Sequence, residues 1–343
     1  MERVIFWNNK GGTGKTTLAF QLLNEYAYQN KDKKILVIDV CPQANLSELL
    51  LGGLNQGGSN VLLMRQGANP RATIGGYFQM RLPAPYSAPS FNPRDYLTKP
   101  NQYNQYIEDN IDLLCGDAML ELQSNAISTL ANNQIPGTNT WVSIINWLND
   151  FIQPIEGDYD IVFLDANPSF SMYTQIAIAT STKVVLPVMA DDSSRRAIQN
   201  AFSLIYGLKL PSEIYSKYAF AEKLKEVDMQ LPKVYMILKN RLTQYMGAAS
   251  AYATVLQQID KDILSLLETY PNIFDFLHID NGIIDVRDFQ TTGVVSSARG
   301  CPLQKLRAGR LDLMGKRVAI KEEYRLNCID NIEMIVSKMN KDL

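Results

Sequence analysis

The sequence predicts an α/β fold in which a mostly parallel, twisted sheet carries helices on both faces. Short apolar runs alternate with longer segments of helical period, which is the pattern that such a sheet produces. A chain of 343 residues can bury one large core or two modest ones. Because neither a tandem repeat nor a long polar linker divides the sequence, we expect a single domain over residues 1–343.

The expected strands are short, and several of them end on a polar residue. Because ligands bind outside the carboxyl ends of the strands in open α/β sheets, we expect the functional residues to meet at that edge. The strand candidates are residues 3–8, 34–39, 112–115, 160–165, 183–187, 234–238 and 274–279.

Residues 52–107 have a different composition, rich in Gly, Pro, Asn, Gln and Tyr. Within this segment five basic residues face one acid, Asp95, which gives a net charge of +4. We interpret the segment as an insertion of loops and short helices. Its positive charge indicates either a binding surface or an irregular segment exposed to solvent. The basic residues are Arg65, Arg71, Arg81, Arg94 and Lys99.

Composition excludes several classes of protein. A net charge of −2 predicts no global attraction to nucleic acid, so any such surface must be local. Four cysteines without CxxC spacing indicate reduced thiols in a cytosolic protein. Because the first strand follows the initial Met at once and no long apolar run occurs, we expect neither secretion nor a membrane span. The single histidine, His278, leaves no Ser/His or Cys/His catalytic pair.

The segment after the first expected strand predicts a phosphate-binding loop. Its three glycines let successive backbone N–H groups turn toward phosphate oxygens, and the helix that follows points its positive end at the same anion. Lys15 would contact the β- and γ-phosphates, and the Thr16 hydroxyl would bind Mg²⁺. The loop reads Lys10, Gly11, Gly12, Thr13, Gly14, Lys15, Thr16 and Thr17.

Because a second lysine, Lys10, opens this loop, it resembles the deviant Walker A motif of the ParA/MinD family of P-loop ATPases. Asn9 stands where the general P-loop pattern has glycine. The resemblance implies ATP and Mg²⁺ as cofactors. It also implies a homodimer that forms on ATP binding, in which Lys10 reaches across to the phosphates of the partner subunit.

The second expected strand ends on Asp39 and leads into a segment that resembles the switch I motif of this family, Asp-x-Asp-Pro-Gln-x-Asn. Four positions match it, whereas Cys41 replaces the second aspartate, which in the family positions the attacking water. The resemblance therefore implies that Asp39 lies near the metal and that hydrolysis is slow, since a thiol does not orient water as a carboxylate does. The matching residues are Asp39, Pro42, Gln43 and Asn45.

Two later strand ends resemble further nucleotide-site elements of the family. Asp165, followed by Pro168, resembles the Walker B and switch II element that contacts Mg²⁺. Asn240 resembles the asparagine that contacts adenine, since its amide can both donate to and accept from the base. The second adenine loop of the family would correspond to residues 279–282, which depart from its usual Ile-Pro start.

Residues 296–317 are the main candidate for DNA contact, because family members of the partition class bind DNA non-specifically through basic patches. A solvated charged face is the alternative. Arg195 and Arg196 form a second candidate. The C-terminal segment 322–339 has apolar residues at helical spacing, and we expect it to pack on the core rather than anchor a membrane. The basic residues of the main patch are Arg299, Lys305, Arg307, Arg310, Lys316 and Arg317.

The resemblance as a whole predicts a cytoplasmic, nucleoid-associated ATPase of the ParA type. Such a protein dimerises on ATP, binds DNA non-specifically and segregates or positions a cargo with a ParB-like or adaptor partner. A MinD-type regulator at the membrane surface is the alternative function. A nitrogenase iron protein type of relative is a weaker alternative, because no cysteine stands in a recognisable cluster-ligand setting.

Overall fold

A mostly parallel sheet forms the centre of the computed structural model, which describes residues 1–87, 89–242, 251–313 and 315–343, with only the backbone of residues 251 and 252. The first five strands are β1 (Glu2–Phe6), β2 (Ile35–Val40), β3 (Leu97–Thr98), β4 (Ile111–Leu114) and β5 (Ile161–Ala166). The later strands are β6 (Lys183–Met189), β7 (Lys233–Leu242), β8 (Ile283–Arg287), β9 (Gly309–Leu313) and β10 (Lys316–Ile320).

Helices connect the strands. Those before β5 are α1 (Lys15–Gln29), α2 (Asn45–Leu50), α3 (Gly58–Gln66), α4 (Ile74–Arg81), α5 (Met119–Ala131), α6 (Thr140–Ile145) and α7 (Trp147–Ile152). Those from β5 to β7 are α8 (Met172–Thr180), α9 (Asp192–Tyr206), α10 (Glu213–Ser216) and α11 (Phe220–Lys225). The last are α12 (Ala251–Thr269), α13 (Ile279–Gly282), α14 (Gln290–Arg299) and α15 (Glu322–Asp342).

The order of strands in the sheet explains where the functional residues meet. Within the described residues the main sheet runs β3-β4-β2-β5-β1-β6-β7-β8, and every neighbour is parallel except β3, which is antiparallel to β4. The register pairs Asp165 of β5 with Phe6 of β1 on one side and with Asp39 of β2 on the other. The phosphate-binding loop and both aspartates therefore lie at one edge, and the predicted fold class is confirmed.

Helices cover both faces of this sheet because side chains alternate along each strand. In β1 and just beyond it, Ile5 and Trp7 join one buried apolar cluster, whereas Val4 and Phe6 join the other. The second cluster includes α15, most of whose apolar side chains are buried near α1, as the sequence predicts. Within the described part of the chain, no helix combines the length and apolarity that crossing a membrane requires.

The strand predicted at residues 274–279 is wrong. Phe274 makes one isolated bridge to Val234, and the chain then turns through α13 before it forms β8 beside β7. The turn is tight, since a Cβ on Gly282 would lie 2.1 Å from the ring of Phe276. Apolar residues misled the prediction: Phe276 fills the core, but Leu277 is 80% exposed.

Residues 52–87 and 89–107 form short helices, turns and the two-residue strand β3, and they pack on the body of the protein. Their basic side chains bind partners that lie mostly outside the segment, so the net charge of +4 is largely compensated in the fold. That these residues are an insertion, and that residues 1–343 form one domain, stay predictions. The contacts are Arg65 with the carbonyl of Leu97, Arg71 with Asp117, Arg81 with Asp150, Arg94 with Asp158, and Lys99 with Asp112.

Candidate functional site

The loop between β1 and α1 has the backbone shape that its glycines predict. Gly12 and Gly14 have φ values of +75° and +87°, in the left-handed region that favours glycine. A Cβ on Gly14 would lie 2.1 Å from Nδ2 of Asn240, so this position also has no room for a side chain. Asn240 Nδ2 donates to the carbonyl of Thr13 at 2.9 Å and holds the turn closed. Helix α1 then begins at Lys15.

The side chain of Lys15 lies inside this loop. It is only 7% exposed, and Nζ donates to the carbonyl of Lys10 at 3.0 Å. Burial lowers the pKa of Lys15, while the negative charge of Asp165 opposes this shift. A buried ammonium group at the start of a helix, among turned backbone amides, is suited to bind an anion such as a phosphate.

Lys10 has a different environment and bonds within its own chain. Its Nζ lies 2.7 Å from each carboxylate oxygen of Asp191 and 3.1 Å from Oγ of Ser194. Asp191 also caps α9, because it accepts a hydrogen bond from the backbone N–H of Ser194. Burial alone would raise the pKa of Asp191, but the bonds from Lys10 and the serines outweigh it and bring that pKa to about 2.

Two carboxylates, Asp39 and Asp165, lie beside the phosphate-binding loop, and both are almost fully buried. Asp39 accepts hydrogen bonds from the backbone N–H of Cys41 at 3.1 Å and from the N–H and hydroxyl of Ser47 at 2.9 and 2.7 Å. Burial raises the pKa of both aspartates, and the charge of Asp39 raises that of Asp165 further. The negative charges of the two carboxylates are therefore only partly compensated by the protein groups around them.

These residues fit a divalent cation. The Thr16 hydroxyl donates to Oδ2 of Asp165 at 2.7 Å, whereas Oδ1 of Asp165 is buried without a hydrogen-bond partner. A cation held by Thr16 and Asp165, with Asp39 nearby, would offset both charges. No group of three or more His, Cys, Asp and Glu that could hold a metal occurs among the described residues. Mg²⁺ needs no such cage, since it commonly takes one or two carboxylates together with phosphates and water.

Cys41 lies in the backbone segment that surrounds Asp39. Its side chain is buried, and burial together with the charges of Asp39 and Asp165 raises the pKa of its thiol to about 12. The thiol is therefore neutral at physiological pH. A neutral thiol is a weak hydrogen-bond partner and cannot act as a general base here.

A cleft of about 520 Å³ opens beside the loop and is large enough for a small-molecule ligand. Asn240 lines it, as expected for a base contact. Among the described residues that line the cleft, none comes from Ile279–Gly282, which forms α13, and an adenine contact from that segment stays a prediction. The chain reaches the cleft after β8 instead, because that strand begins later than predicted. The lining residues that sequence reasoning missed include Arg241, Asp288, Phe289 and Gln290.

One feature of the backbone sets two of these missed residues apart. Arg241 and Gln290 have φ values of +60° and +43°, although neither is glycine. Such strained positions often occur at ligand sites. The sequence carries no signal for this conformation, but a correct end for β8 would have placed the polar segment 288–290 at the sheet edge.

The residues predicted to bind DNA fall into two groups. In the first, the side chains are engaged within the protein: Lys305 pairs with Glu108 at 2.6 Å, Arg299 donates to the carbonyl of Asp312, and Arg195 and Arg196 pair with Asp192. In the second, Arg307, Arg310, Lys316 and Arg317 are exposed.

The last three residues of the exposed group belong to the antiparallel hairpin β9–β10. The register places Arg310 opposite Ala319 and Arg317 opposite Asp312, on one face of the hairpin. The other face carries Leu311 and Val318, which pack against the core. The hairpin is therefore amphipathic, with the face that carries the arginines turned away from the core.

Comparison with known proteins identifies relatives. A family model described as AAA domain matches residues 1–217. The virulence plasmid ParA family protein pGP5-D of Chlamydia psittaci is 24% identical over 200 residues, which are 58% of this chain and 61% of that protein. A putative replication protein A of Rhizobium rhizogenes is 25% identical over 182 residues, which are 53% of this chain and 38% of that protein. The matches thus span less than two thirds of these two relatives.

Solved structures share the fold. Apo McdA from Cyanothece superposes with a TM-score of 0.60 at 14% identity, over 99% of both chains. A putative plasmid partition protein of Borrelia burgdorferi B31, bound to AMPPNP, superposes with a TM-score of 0.53 at 15% identity, over 100% of this chain and 99% of that one. At such identities the likeness is one of fold.

The buried carboxylates predict that Asp165→Asn stabilises the ligand-free protein. Because the pKa of Asp165 is raised in the folded state, its ionisation opposes folding, and this cost grows as pH rises from about 4 through the raised pKa. We expect Tm in thermal denaturation to rise by about 2 °C or more at pH 8 and by less at pH 5. The exposed Asp32→Asn serves as control. A rise in Tm at pH 5 that equals or exceeds the rise at pH 8 would contradict a raised pKa for Asp165.

Proposed function

Because the chain belongs to the AAA domain family and is a P-loop ATPase of the ParA/MinD type, we propose that it is a positioning ATPase. It binds ATP with Mg²⁺, dimerises on ATP and binds DNA non-specifically as a dimer. With a ParB-like or adaptor partner it segregates a plasmid, chromosome or other cargo. The observation that carries the proposal is a phosphate-binding loop with two lysines, one directed inward and one near the protein surface.

The two lysines support different roles. Lys15 is buried inside its own loop and is suited to the phosphates of its own nucleotide. The side chain of Lys10 is 23% exposed and is bound by Asp191 in the isolated chain. Because water reaches both partners of this ion pair, a phosphate of a second subunit can replace Asp191 as the partner of Lys10. We therefore assign Lys15 to binding in its own subunit and Lys10 to the dimer.

Hydrolysis in this proposal is slow. Thr16, Asp39 and Asp165 would hold Mg²⁺, which would withdraw charge from the phosphates. The Cys41 thiol, with its raised pKa, gives little help in orienting the attacking water. The positioning of the nucleophile supplies a large part of catalysis. Poor positioning of the water therefore lowers the rate of ATP hydrolysis rather than the affinity for ATP.

The proposed DNA contact is the exposed basic group around the hairpin β9–β10. A dimer would present two such groups, and binding would follow charge rather than base sequence. We assign no DNA role to Arg195 and Arg196, because Asp192 and Asp262 already neutralise them. This basic surface favours a nucleoid location. The membrane-surface alternative has less support, since α15 directs most of its apolar side chains into the core.

Dimerisation should depend on Lys10 and nucleotide binding on Lys15. Lys15→Ala should abolish ATP binding, whereas Lys10→Ala should bind ATP but stay monomeric in light scattering with ATP and Mg²⁺. Asp191→Asn is the matched control, because it breaks the same ion pair, keeps a capping side chain on α9 and leaves Lys10 intact. A Lys10→Ala protein that dimerises like the wild type would refute the role of Lys10 across the interface.

The substitution Cys41→Asp should accelerate ATP hydrolysis by about tenfold or more, because a carboxylate can orient the attacking water. Cys41→Ser is the control, since it adds a hydroxyl of similar size without a charge and should raise kcat much less. Phosphate release under saturating ATP measures both. If the wild-type protein already matches the Asp variant, another group positions the water.

DNA binding should depend on Arg307 and Arg310. The double substitution to Glu should weaken ATP-dependent DNA binding in a mobility-shift titration by about tenfold or more at low salt, without a change in ATP affinity. The slope of log K against log salt should become shallower by about 0.9 for each phosphate that the variant no longer neutralises. The same charge change at Arg195 and Arg196 is the control. Should only that control pair lose DNA binding, the hairpin is not the DNA surface.

A further inference from the structure

A single buried side chain, Trp7, contacts both ends of the loop that follows Asp165. The indole Nε1 of Trp7 donates to the carbonyl of Asn167 at 2.9 Å, and its ring lies 5.7 Å from the ring of Phe170 between centroids. Trp7 itself is fixed, since it is fully buried and its backbone N–H donates to the carbonyl of Val185. It stands three residues before Lys10, so it joins the strand that carries the phosphate-binding loop to the loop after Asp165.

Residues 167–170 form a turn that hydrogen bonds hold along its length. Asn167 Oδ1 accepts a hydrogen bond from the N–H of Ser169 at 3.0 Å, and Gln175 donates to the carbonyl of Phe170 at 3.0 Å. Pro168 restricts the backbone between these bonds, and Ser169 is exposed. The result is a short turn that exposes Ser169 to solvent four residues after Asp165, a carboxylate of the site.

We propose that Trp7 is a positioning residue for ATP hydrolysis, because it sets the turn at residues 167–170 relative to the phosphate-binding loop. This inference rests on the proposed function. Two separate strands, β1 and β5, supply the phosphate-binding loop and Asp165. The loops that follow them must keep a fixed distance if a water molecule is to be held in line with a bound phosphate.

The role is distinct from that of a core tryptophan, and the chain offers a matched comparison. Trp147 is also fully buried, and its Nε1 also donates to a backbone carbonyl, that of Pro85, at 2.9 Å. Replacing either residue by Phe leaves one partly buried carbonyl without its donor and removes a similar apolar surface, so the two decreases in stability should be alike. The two bonds differ in place: the acceptor of Trp147 lies outside the loops around Lys15 and Asp165.

The experiment compares Trp7→Phe with Trp147→Phe in the full chain, using ATP with Mg²⁺ as the probe. Equilibrium binding of ATP should stay within about twofold of the wild type in both variants, because Lys15 and its loop are unchanged. The kcat of Trp7→Phe should fall by about fivefold or more, whereas the kcat of Trp147→Phe should stay within about twofold. Thermal denaturation should give similar decreases in Tm for the two variants.

Equal kcat values for the two variants would overturn the inference. If Trp7→Phe does not fold by circular dichroism, Phe170→Leu tests the other contact, and an unchanged kcat in that variant overturns the inference equally. Hydrolysis by the wild type no faster than by Lys15→Ala would refute the ATPase function itself, and with it this role of Trp7. If the wild type hydrolyses ATP and Trp7→Phe does so at the same rate, the role of Trp7 is refuted but the ATPase function is not.

Discussion

The burial of two like charges beside a buried lysine is the constraint on which the rest of the site depends. Asp39 and Asp165 are paired in register on neighbouring parallel strands, so their carboxylates are forced to the same edge of the sheet. Lys15 enters that edge from the adjacent loop, and its burial is compensated only in part. The fold therefore maintains an arrangement that costs stability until a cation and an anion are bound, as is common at functional sites.

The polar groups around these charges are arranged to hold them in place. Ser47 binds Asp39 through both its backbone N–H and its hydroxyl, and the same hydroxyl accepts a hydrogen bond from the N–H of Gly116 at the end of β4. Asn240 performs a similar task on the other side, where it secures the turn of the phosphate-binding loop. Elements far apart in sequence thus meet in one small region, where these hydrogen bonds orient the carboxylate and the loop without a ligand.

The sequence predicts those parts of the structure that local chemistry decides. The polar residues Asp39, Asp165 and Asn240 could be found because buried apolar runs stop near them. The loop at Lys15 could be found because closely spaced glycines before a lysine are typical of phosphate-binding loops. The turn through α13 could not be found, since it depends on contact between Phe276 and Gly282 rather than on composition. That the charge of residues 52–107 is paired within the fold could not be predicted for a related reason. Its partners, such as Asp117 and Asp150, lie far along the chain.

The central claim is that this edge of the sheet binds a nucleoside triphosphate together with a divalent cation. Calorimetric titration with ATP, in Mg²⁺ and again in EDTA, tests it most directly. The account predicts one ATP per chain and an affinity at least about tenfold higher with Mg²⁺, because the cation offsets the charges of Asp39 and Asp165. An affinity that is the same in EDTA, or no binding at all, would contradict it.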